Sequence, residues 1–283
     1  MGATRLILSP FDSGHREQRM GAGPSALLRG GADRLLAADQ VVTVELENPG
    51  FTQEVRTATE IQRAIAGHVR RAVADGVAPV VLSGNCNASV GVVSGLSTND
   101  DDLAVLWLDA HGDLNTPETT TSGFFDGMGL SVLTGRCWST LARTIPGFRP
   151  VPDEHVLLIG ARDLGAAEQA IVDGSGIRLL PARADEVAAA LPEVRRVHLH
   201  IDLDVHDSRL VGPANEYAVP DGPDAAEVQR IVEAVSARLP IVSATFAAYD
   251  PAVDTDGKVR AAALDLIRLV GTKVSALDHA GRD

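Results

Sequence analysis

The stretch AVLWLDAHGD (residues 104–113) decides the fold of this chain together with its counterpart VHLHIDLD (residues 197–204). In each stretch a short apolar run ends in polar residues at every second position, namely Asp109, His111 and Asp113 in the first and Asp202 and Asp204 in the second. Alternate side chains of an extended chain project to the same side. We therefore predict two strands whose ends each carry a row of metal-ligand side chains.

Similar apolar runs recur along the chain and alternate with helical patterns. Besides residues 104–108 and 197–201, the candidate strands are residues 5–8, 80–82, 156–159, 178–180 and 241–246. The clearest helix covers residues 57–75, with Gly76 at the C-cap position and one apolar stripe formed by Ile61, Ile65, Val69 and Val73. Further helices are predicted over residues 225–238 and 260–275. This alternation is typical of a parallel sheet covered by helices.

The domain organisation is predicted from the absence of any break in this alternation of strands and helices. The sequence contains no internal repeat, low-complexity segment or Ser/Pro-rich linker. We therefore predict a single doubly wound α/β domain over residues 1–283, an α/β/α sandwich with a mainly parallel sheet. Residues 48–52 are predicted to form a loop, and residues 276–283 a frayed tail.

Composition and charge limit the partners and the compartment. The 283 residues are 45% hydrophobic and carry a formal net charge of -13, which favours a small polar or cationic substrate over nucleic acid or an anionic membrane. Only two cysteines are present, Cys86 and Cys137, and no apolar run resembles a membrane span or a signal peptide. We expect a cytoplasmic protein in which both thiols are reduced.

The two rows of acidic residues point to a metal site. Ligands of open α/β sheets bind beyond the carboxyl ends of the strands, so both rows are expected to converge on one crevice. Crowded carboxylates repel one another unless cations neutralise them. Many carboxylates with one imidazole suit Mn²⁺ or another hard to borderline ion. The alternative, in which each aspartate only caps a helix or lies in a solvated loop, is disfavoured because two strands end in the same pattern.

These motifs resemble those of the arginase family. LDAHGDLNTPETTTSG (residues 108–123) and HIDLDVHD (residues 200–207) are similar to its second and third metal motifs, and SPFDSGHREQRMGAGPSALL (residues 9–28) is similar to its first strand and Gly-Pro helix start. IGARD and AYDP follow in family order. The resemblance spans nearly the whole chain and implies an arginase-like fold, a ureohydrolase acting on linear amidines, and a homo-oligomer.

The resemblance also implies a cofactor and a set of site residues. It implies two Mn²⁺ ions per subunit, which activate water for attack on a guanidino carbon. Carried over residue by residue, it implies that Asp109 and Asp202 contact both ions, that Asp113 contacts one, and that His111 and Asp204 contact the other. Asp109 is thereby also a catalytic candidate. The implied contacts to the amino-acid end of the substrate are Asn115, Ser122 and Glu168.

The first metal motif departs from the family pattern. The family has Gly-Gly-Asp-His-Ser, whereas this chain has SGNCN at residues 83–87, so that Cys86 stands in place of the ligand histidine. A thiolate is a soft donor and is poorly matched to Mn²⁺. We expect the ion at Asp113 to be weakly bound, absent or replaced by a softer ion, with Cys86 as a weak ligand or an indirect contact. A buried cysteine that binds no metal stays an open alternative.

Three further positions lack the family's charged groups. Asp126 replaces the proton-shuttle histidine and is our second catalytic candidate, Ala248 replaces the carboxylate that clamps guanidinium, and Gly165 replaces an acidic substrate contact. The altered first motif resembles the family members that convert Nω-hydroxy-L-arginine to L-ornithine and hydroxyurea in D-cycloserine biosynthesis. We predict this reaction, because a less basic substrate needs no acidic clamp. The alternatives are an agmatinase-like or guanidinobutyrase-like hydrolase, an arginase, and a non-catalytic arginase-like binding protein.

Overall fold

The computed structural model describes residues 3–47, 53–96 and 102–277. The strands in this part of the chain are β1 Thr4–Ser9, β2 Phe11–Asp12, β3 His15–Arg16, β4 Ala38–Thr43, β5 Ala78–Ser83, β6 Leu103–Leu108, β7 Val156–Ile159, β8 Arg178–Leu180, β9 Arg196–Asp202 and β10 Ile241–Ala247. All the predicted strands are present, and their ends agree with the prediction to within two residues.

Eight of these strands form one sheet in the order β4-β1-β5-β10-β9-β6-β7-β8. Every pair of neighbours in it is parallel, and among the described residues β2 and β3 form a separate antiparallel pair. The prediction of a mainly parallel sheet is confirmed. Because β5, β10, β9 and β6 lie side by side at the centre, the residues that follow β5, β6 and β9 meet at the same edge of the sheet.

The edge strand β4 escaped the sequence analysis. It is partly exposed along its length, and its sequence, ADQVVT, lacks the apolar run that marks the central strands. An ion pair anchors it, because the buried Arg5 of β1 places Nη2 2.5 Å from the carboxylate of Asp39. Edge strands are solvated on one side, and their sequences are accordingly less apolar.

The helices connect the strands and cover both faces of the sheet. They are α1 Gly23–Arg29, α2 Ala32–Leu35, α3 Glu54–Ala74, α4 Ala88–Leu96, α5 Gly129–Leu133, α6 Ser139–Ala142, α7 Ala166–Asp173, α8 Ala184–Ala189, α9 Ala225–Ser236 and α10 Lys258–Lys273, with short 3₁₀ helices at Arg19–Ala22, Asp126–Met128, Asp153–His155 and Leu203–Val205. The helix predicted over residues 57–75 is α3, and those predicted over 225–238 and 260–275 are α9 and α10.

Local signals explain two of the helix ends. Pro24 stands in the first turn of α1, where its missing N–H costs nothing. After α3, Gly76 adopts a φ of +72°, and its N–H donates to the carbonyl of Val73 at 3.0 Å. A left-handed residue is favourable for glycine and ends the helix as predicted.

The core lies on both faces of the sheet, because alternate strand residues point in opposite directions. On one face Leu6 of β1 belongs to a buried cluster with Ile231 of α9 and Leu266 of α10. On the other, Ile7 belongs to a cluster with Ile65 of α3. The layered α/β prediction is thus confirmed, since each face of the sheet is covered by helices.

Some predictions concern parts of the chain that the structure does not describe. The predicted loop at residues 48–52 lies outside the described residues, as do residues 278–283 of the predicted tail. The single-domain assignment stays a prediction. Within the described ranges, no helix combines the length and apolar character that a membrane span requires.

Candidate metal centre

The ends of three central strands bring the predicted ligands together. Asp109 follows β6 directly, Asp202 is the last residue of β9, and the 3₁₀ turn Leu203–Val205 carries Asp204. Cys86 follows β5 and precedes α4. A cavity of about 610 Å³ opens at this edge of the sheet, lined among others by Cys86, His111, Asp113, Asp202 and Asp204. The predicted convergence of the two strand ends on one crevice is therefore present in the fold.

His111 links the two acidic strand ends. Its Nδ1 lies 3.3 Å from Oδ1 of Asp109 and 3.4 Å from Oδ2 of Asp204. The ligand atoms of these three residues lie within 4.8 Å of one another. Burial disfavours a charged imidazole, but the two carboxylates outweigh it and raise the pKa of His111. Burial likewise opposes ionisation of Asp204, yet its hydrogen bond with His111 brings its pKa down to about 2.

Hydrogen bonds fix the orientation of these carboxylates. Asp109 accepts from the backbone N–H of His111 at 2.7 Å and from Nε1 of Trp107 at 3.1 Å. Asp202 accepts from the backbone N–H of Asp204 at 2.7 Å. Nδ2 of Asn215 donates to Asp204 at 3.1 Å. Each of these three carboxylates is thus held by at least one hydrogen bond from the protein, which orients it before any ligand arrives.

Asp113 supplies the observation that tests whether a cation fits. Its Oδ2 is buried without a hydrogen-bond partner, and an unpaired buried acceptor is costly. Burial and the neighbouring Asp109 and Asp126 raise its pKa, and burial together with Asp204 and Asp109 raises the pKa of Asp202. A divalent cation would neutralise this crowding and satisfy the free oxygen. The residues present therefore fit a hard or borderline metal ion such as Mn²⁺.

Cys86 lies inside this cluster. Its side chain is 3% exposed, and its Sγ donates to Oδ2 of Asp202 at 2.9 Å. Burial raises the pKa of the Cys86 thiol, and the nearby carboxylates raise it further. A thiolate would therefore need a cation beside it. Cys86 is therefore buried in contact with a predicted metal ligand, and both its ligation and the alternative of a buried cysteine that binds no metal stay predictions.

Asp126 holds the loop that carries Cys86. Its Oδ2 accepts from Nδ2 of Asn85 at 2.9 Å and from the backbone N–H of Cys86 at 3.0 Å. Its Oδ1 accepts from the backbone N–H and Nδ2 of Asn87 at 2.8 and 2.9 Å. Burial raises the pKa of Asp126 to about 7. Both oxygens are thus engaged in holding residues 85–87, and the predicted catalytic role of Asp126 stays a prediction.

The predicted substrate contacts line the same cavity, with different surroundings. Ser122 is exposed, and Asn115 is partly exposed at the cavity wall. Glu168 is buried, and its two carboxylate oxygens accept the backbone N–H groups of Leu114 and Gly165 at 3.1 and 2.9 Å. Glu168 therefore ties the start of α7 to the loop after β6. Its contact with substrate stays a prediction.

Two polar residues of the site were not singled out from the sequence. His200 is fully buried and stacks on Trp107 with ring centroids 3.7 Å apart. The sequence contains a signal for His200, because this residue precedes Asp202 by two positions on the same strand. Asn215 orients Asp204 from a distant loop and had no local signal. Ala248, which also lines the cavity, has a φ of +60°, in the left-handed region that few non-glycine residues occupy.

Known proteins resemble this chain in sequence and in fold. The sequence model of the arginase family matches residues 3–271 of this chain. The Nω-hydroxy-L-arginine amidinohydrolase of Streptomyces lavendulae is 34% identical over 160 residues, which is 56% of this chain and 56% of that relative, so the match spans about half of its length. Arginase from Bacillus subtilis is 28% identical over 292 aligned residues, covering 95% of this chain and 98% of the relative. The crystal structure of Bacillus subtilis arginase superposes with a TM-score of 0.85 at 26% identity, covering 96% of this chain and 99% of that chain.

Proposed function

The chain belongs to the arginase family, and on that premise we propose that this amidinohydrolase converts Nω-hydroxy-L-arginine and water to L-ornithine and hydroxyurea. The observation that carries the proposal is the cavity wall. Ala248 and Gly165 line it, at positions where the family resemblance implies acidic substrate contacts. The N-hydroxyl oxygen withdraws electron density from the guanidino group and makes it less basic. Such a substrate needs no carboxylate clamp.

The carboxylates that do line the cavity have other partners. Asp126 is engaged by residues 85–87, and Glu168 by two backbone N–H groups. Asp113, Asp202 and Asp204 belong to the proposed metal centre. Among the described residues this leaves Asp163 on the cavity wall, whose side chain is 64% exposed and lies 4.0 Å from Nε2 of His111. A protonated guanidinium would therefore find no buried carboxylate of its own.

The chain's own residues would hold and orient the reacting groups. We propose Asp109, His111, Asp113, Asp202 and Asp204 as the ligands of two Mn²⁺ ions per subunit. When bound, such ions supply Lewis acidity and lower the pKa of water. Asn215 and the backbone N–H groups keep the carboxylates in place for them. We propose that Asn115 and Ser122 contact the amino-acid end of the substrate at the open side of the cavity.

The relatives support this assignment in part. The Streptomyces lavendulae protein is named for activity on Nω-hydroxy-L-arginine, and two relatives that match over nearly their full length are arginases. A place in D-cycloserine biosynthesis is the corresponding pathway proposal. We further propose a cytoplasmic homo-oligomer, in keeping with two buried cysteines that form no disulfide with each other. The pathway and the homo-oligomer rest on the family resemblance, and the cytoplasmic compartment rests on the composition of the sequence.

The proposal is tested by measuring product release side by side for Nω-hydroxy-L-arginine, arginine and agmatine. Losing one charge-assisted hydrogen bond is worth roughly 1.5–3 kcal/mol, so we expect a specificity constant for Nω-hydroxy-L-arginine on the order of 10–150-fold above that for arginine. Ala248→Glu should narrow this ratio by improving arginine. Ala167→Glu, which adds the same charge elsewhere on the cavity wall, should not.

Each other outcome favours a different function. A wild-type preference for arginine near neutral pH would refute the proposal and identify an arginase. Putrescine release from agmatine would identify an agmatinase-like enzyme. A chain that turns over none of the three and retains less than one equivalent of metal after purification with Mn²⁺ would be a non-catalytic binding protein.

A further inference from the structure

His200 lies one step deeper in the sheet than the acidic strand ends. Alternation along β9 places His198, His200 and Asp202 on one face, and the register pairs His200 with Trp107 of β6. The side chain of His200 is fully buried, and its ring stacks on Trp107 at 3.7 Å with an interplanar angle of 21°. The stacking fixes the plane of the imidazole, so its ring nitrogens have defined directions.

One of those nitrogens is unused. Nδ1 of His200 lies 2.9 Å from Oγ of Ser89, whereas Nε2 is buried and has no hydrogen-bond partner. With Nδ1–H donating to Ser89, Nε2 carries a lone pair. Buried ring nitrogens are nearly always paired, so an orphan of this kind indicates a missing partner. A neutral imidazole nitrogen is also a common metal ligand.

Two further ligand atoms lie beside His200. The ligand atoms of Cys86, Asp109 and His200 lie within 4.8 Å of one another, and all three side chains are buried. We propose that these residues form a metal position of mixed sulfur, oxygen and nitrogen donors, with His200 supplying the imidazole that the first motif lacks. This donor set suits a borderline ion such as Zn²⁺ or Co²⁺ better than Mn²⁺.

Binding at this position has a defined proton balance. The thiol proton of Cys86, which is donated to Asp202 at 2.9 Å, leaves as the sulfur–metal bond forms and is released to solvent. Asp109 belongs both to this group and to the group with His111 and Asp204. The position is therefore adjacent to the centre described above and shares one carboxylate with it. This metal position depends on the proposed function in one respect, namely that the neighbouring acidic cluster with His111 is a metal centre.

Cobalt binding tests the assignment without relying on turnover. Metal-stripped chain titrated with Co²⁺ should develop a thiolate-to-cobalt charge-transfer band in the near ultraviolet, and Cys86→Ser should abolish it. His200→Asn should lower the Co²⁺ affinity at least on the order of 10–100-fold, because that is the loss when only a supporting contact of a metal ligand is removed and His200 is proposed as a ligand itself. His198→Asn is the matched control. It alters an equally buried histidine on the same strand that contacts the same Ser89, and it should leave the affinity unchanged.

The outcomes separate this assignment from a structural role and from the proposed function. Urea unfolding of the metal-free variants reports whether each one folds. If His200→Asn does not fold, the ¹⁵N resonance of His200 Nε2 in the wild-type chain should move strongly on Zn²⁺ addition. No cobalt band, an unmoved Nε2 resonance, or equal losses in the two histidine variants would overturn the assignment. A chain that shows the band but hydrolyses no guanidino compound would refute the proposed function alone.

Discussion

The substitution Asp126→Asn distinguishes a residue that holds a loop from one that shuttles protons. Asp126 accepts four hydrogen bonds from residues 85–87 and is 5% exposed. An asparagine keeps one acceptor oxygen and replaces the other by an NH₂ group. Two of the four donors would then face a donor, and the remaining bonds would lose their charged partner.

The expected loss follows from those donors. Each buried donor left unpaired costs about 1–3 kcal/mol, so the two together predict a decrease of roughly 2–6 kcal/mol in the free energy of unfolding. Burial raises the pKa of Asp126 to about 7, so the wild-type carboxylate must be compared at a pH well above that value. Metal affinity should fall as well, because the loop carries Cys86.

Urea unfolding of the metal-free chain provides the measurement. Asp163→Asn is the matched control. It removes a carboxylate from the same cavity wall, but the side chain of Asp163 is 64% exposed. A surface change of this kind should stay within about 0.5 kcal/mol of wild type. If Asp126→Asn also stayed within that margin and lost only turnover, Asp126 would be a catalytic group and the loop-holding interpretation would be wrong.

Three further predictions concern the metal centre and the buried histidines. EDTA should abolish activity, and Asp202→Asn should do the same; wild-type turnover with full metal content in that variant would contradict the ligand assignment. Cys86→His should tighten Mn²⁺ binding, because imidazole suits this ion better than thiolate, and an unchanged titration would exclude Cys86 from the site. Burial lowers the pKa of His198 to about 3 in the folded chain, below its pKa in the unfolded chain. As the pH falls below that unfolded-state pKa, the unfolded chain is protonated at His198 before the folded chain is. The stability of the wild-type protein therefore falls with falling pH in this range. His198→Asn should remove about 1.4 kcal/mol per pH unit from that slope in metal-free chain, and an unchanged slope would mean that His198 is not buried in its neutral form.

The strands and the acidic rows could be predicted because their signals are local. The sequence of β6, LAVLWL, is a continuous apolar run because both of its faces are buried, whereas β9, RVHLHID, alternates apolar residues with buried histidines. In both strands the aspartates stand at or directly after the strand end. Parallel topology then forces the ends of β6 and β9 to the same edge of the sheet. The local signals therefore predict that Asp109 and Asp202 lie at the same edge of the sheet, whereas their proximity also requires β6 and β9 to be neighbours, which only the fold shows.

The surroundings of the site could not be predicted in this way. Asp126 and Asn85 are 41 residues apart in sequence, and nothing near either residue indicates their contact. Glu168 matches a substrate contact in the family pattern, yet the fold uses both of its oxygens for backbone N–H groups. Residue type shows that a side chain can bind a ligand. Only the fold shows whether that side chain is already hydrogen-bonded to another part of the protein.

The departures from the family's first metal motif are physically coupled. In this chain the side-chain amides of Asn85 and Asn87 both donate to Asp126, at 2.9 Å in each case. An aspartate at position 85, as in the family pattern, would place a second carboxylate against Asp126, and two buried like charges in contact are strongly unfavourable. Conversely, a histidine at position 126 would remove the acceptor of the Asn87 side chain and leave Asn85 with Asp12 as its remaining acceptor. Asn85, Asn87 and Asp126 therefore form one hydrogen-bonded unit to which the backbone N–H of Cys86 also donates, so we expect a change at any one of them to require changes at the others.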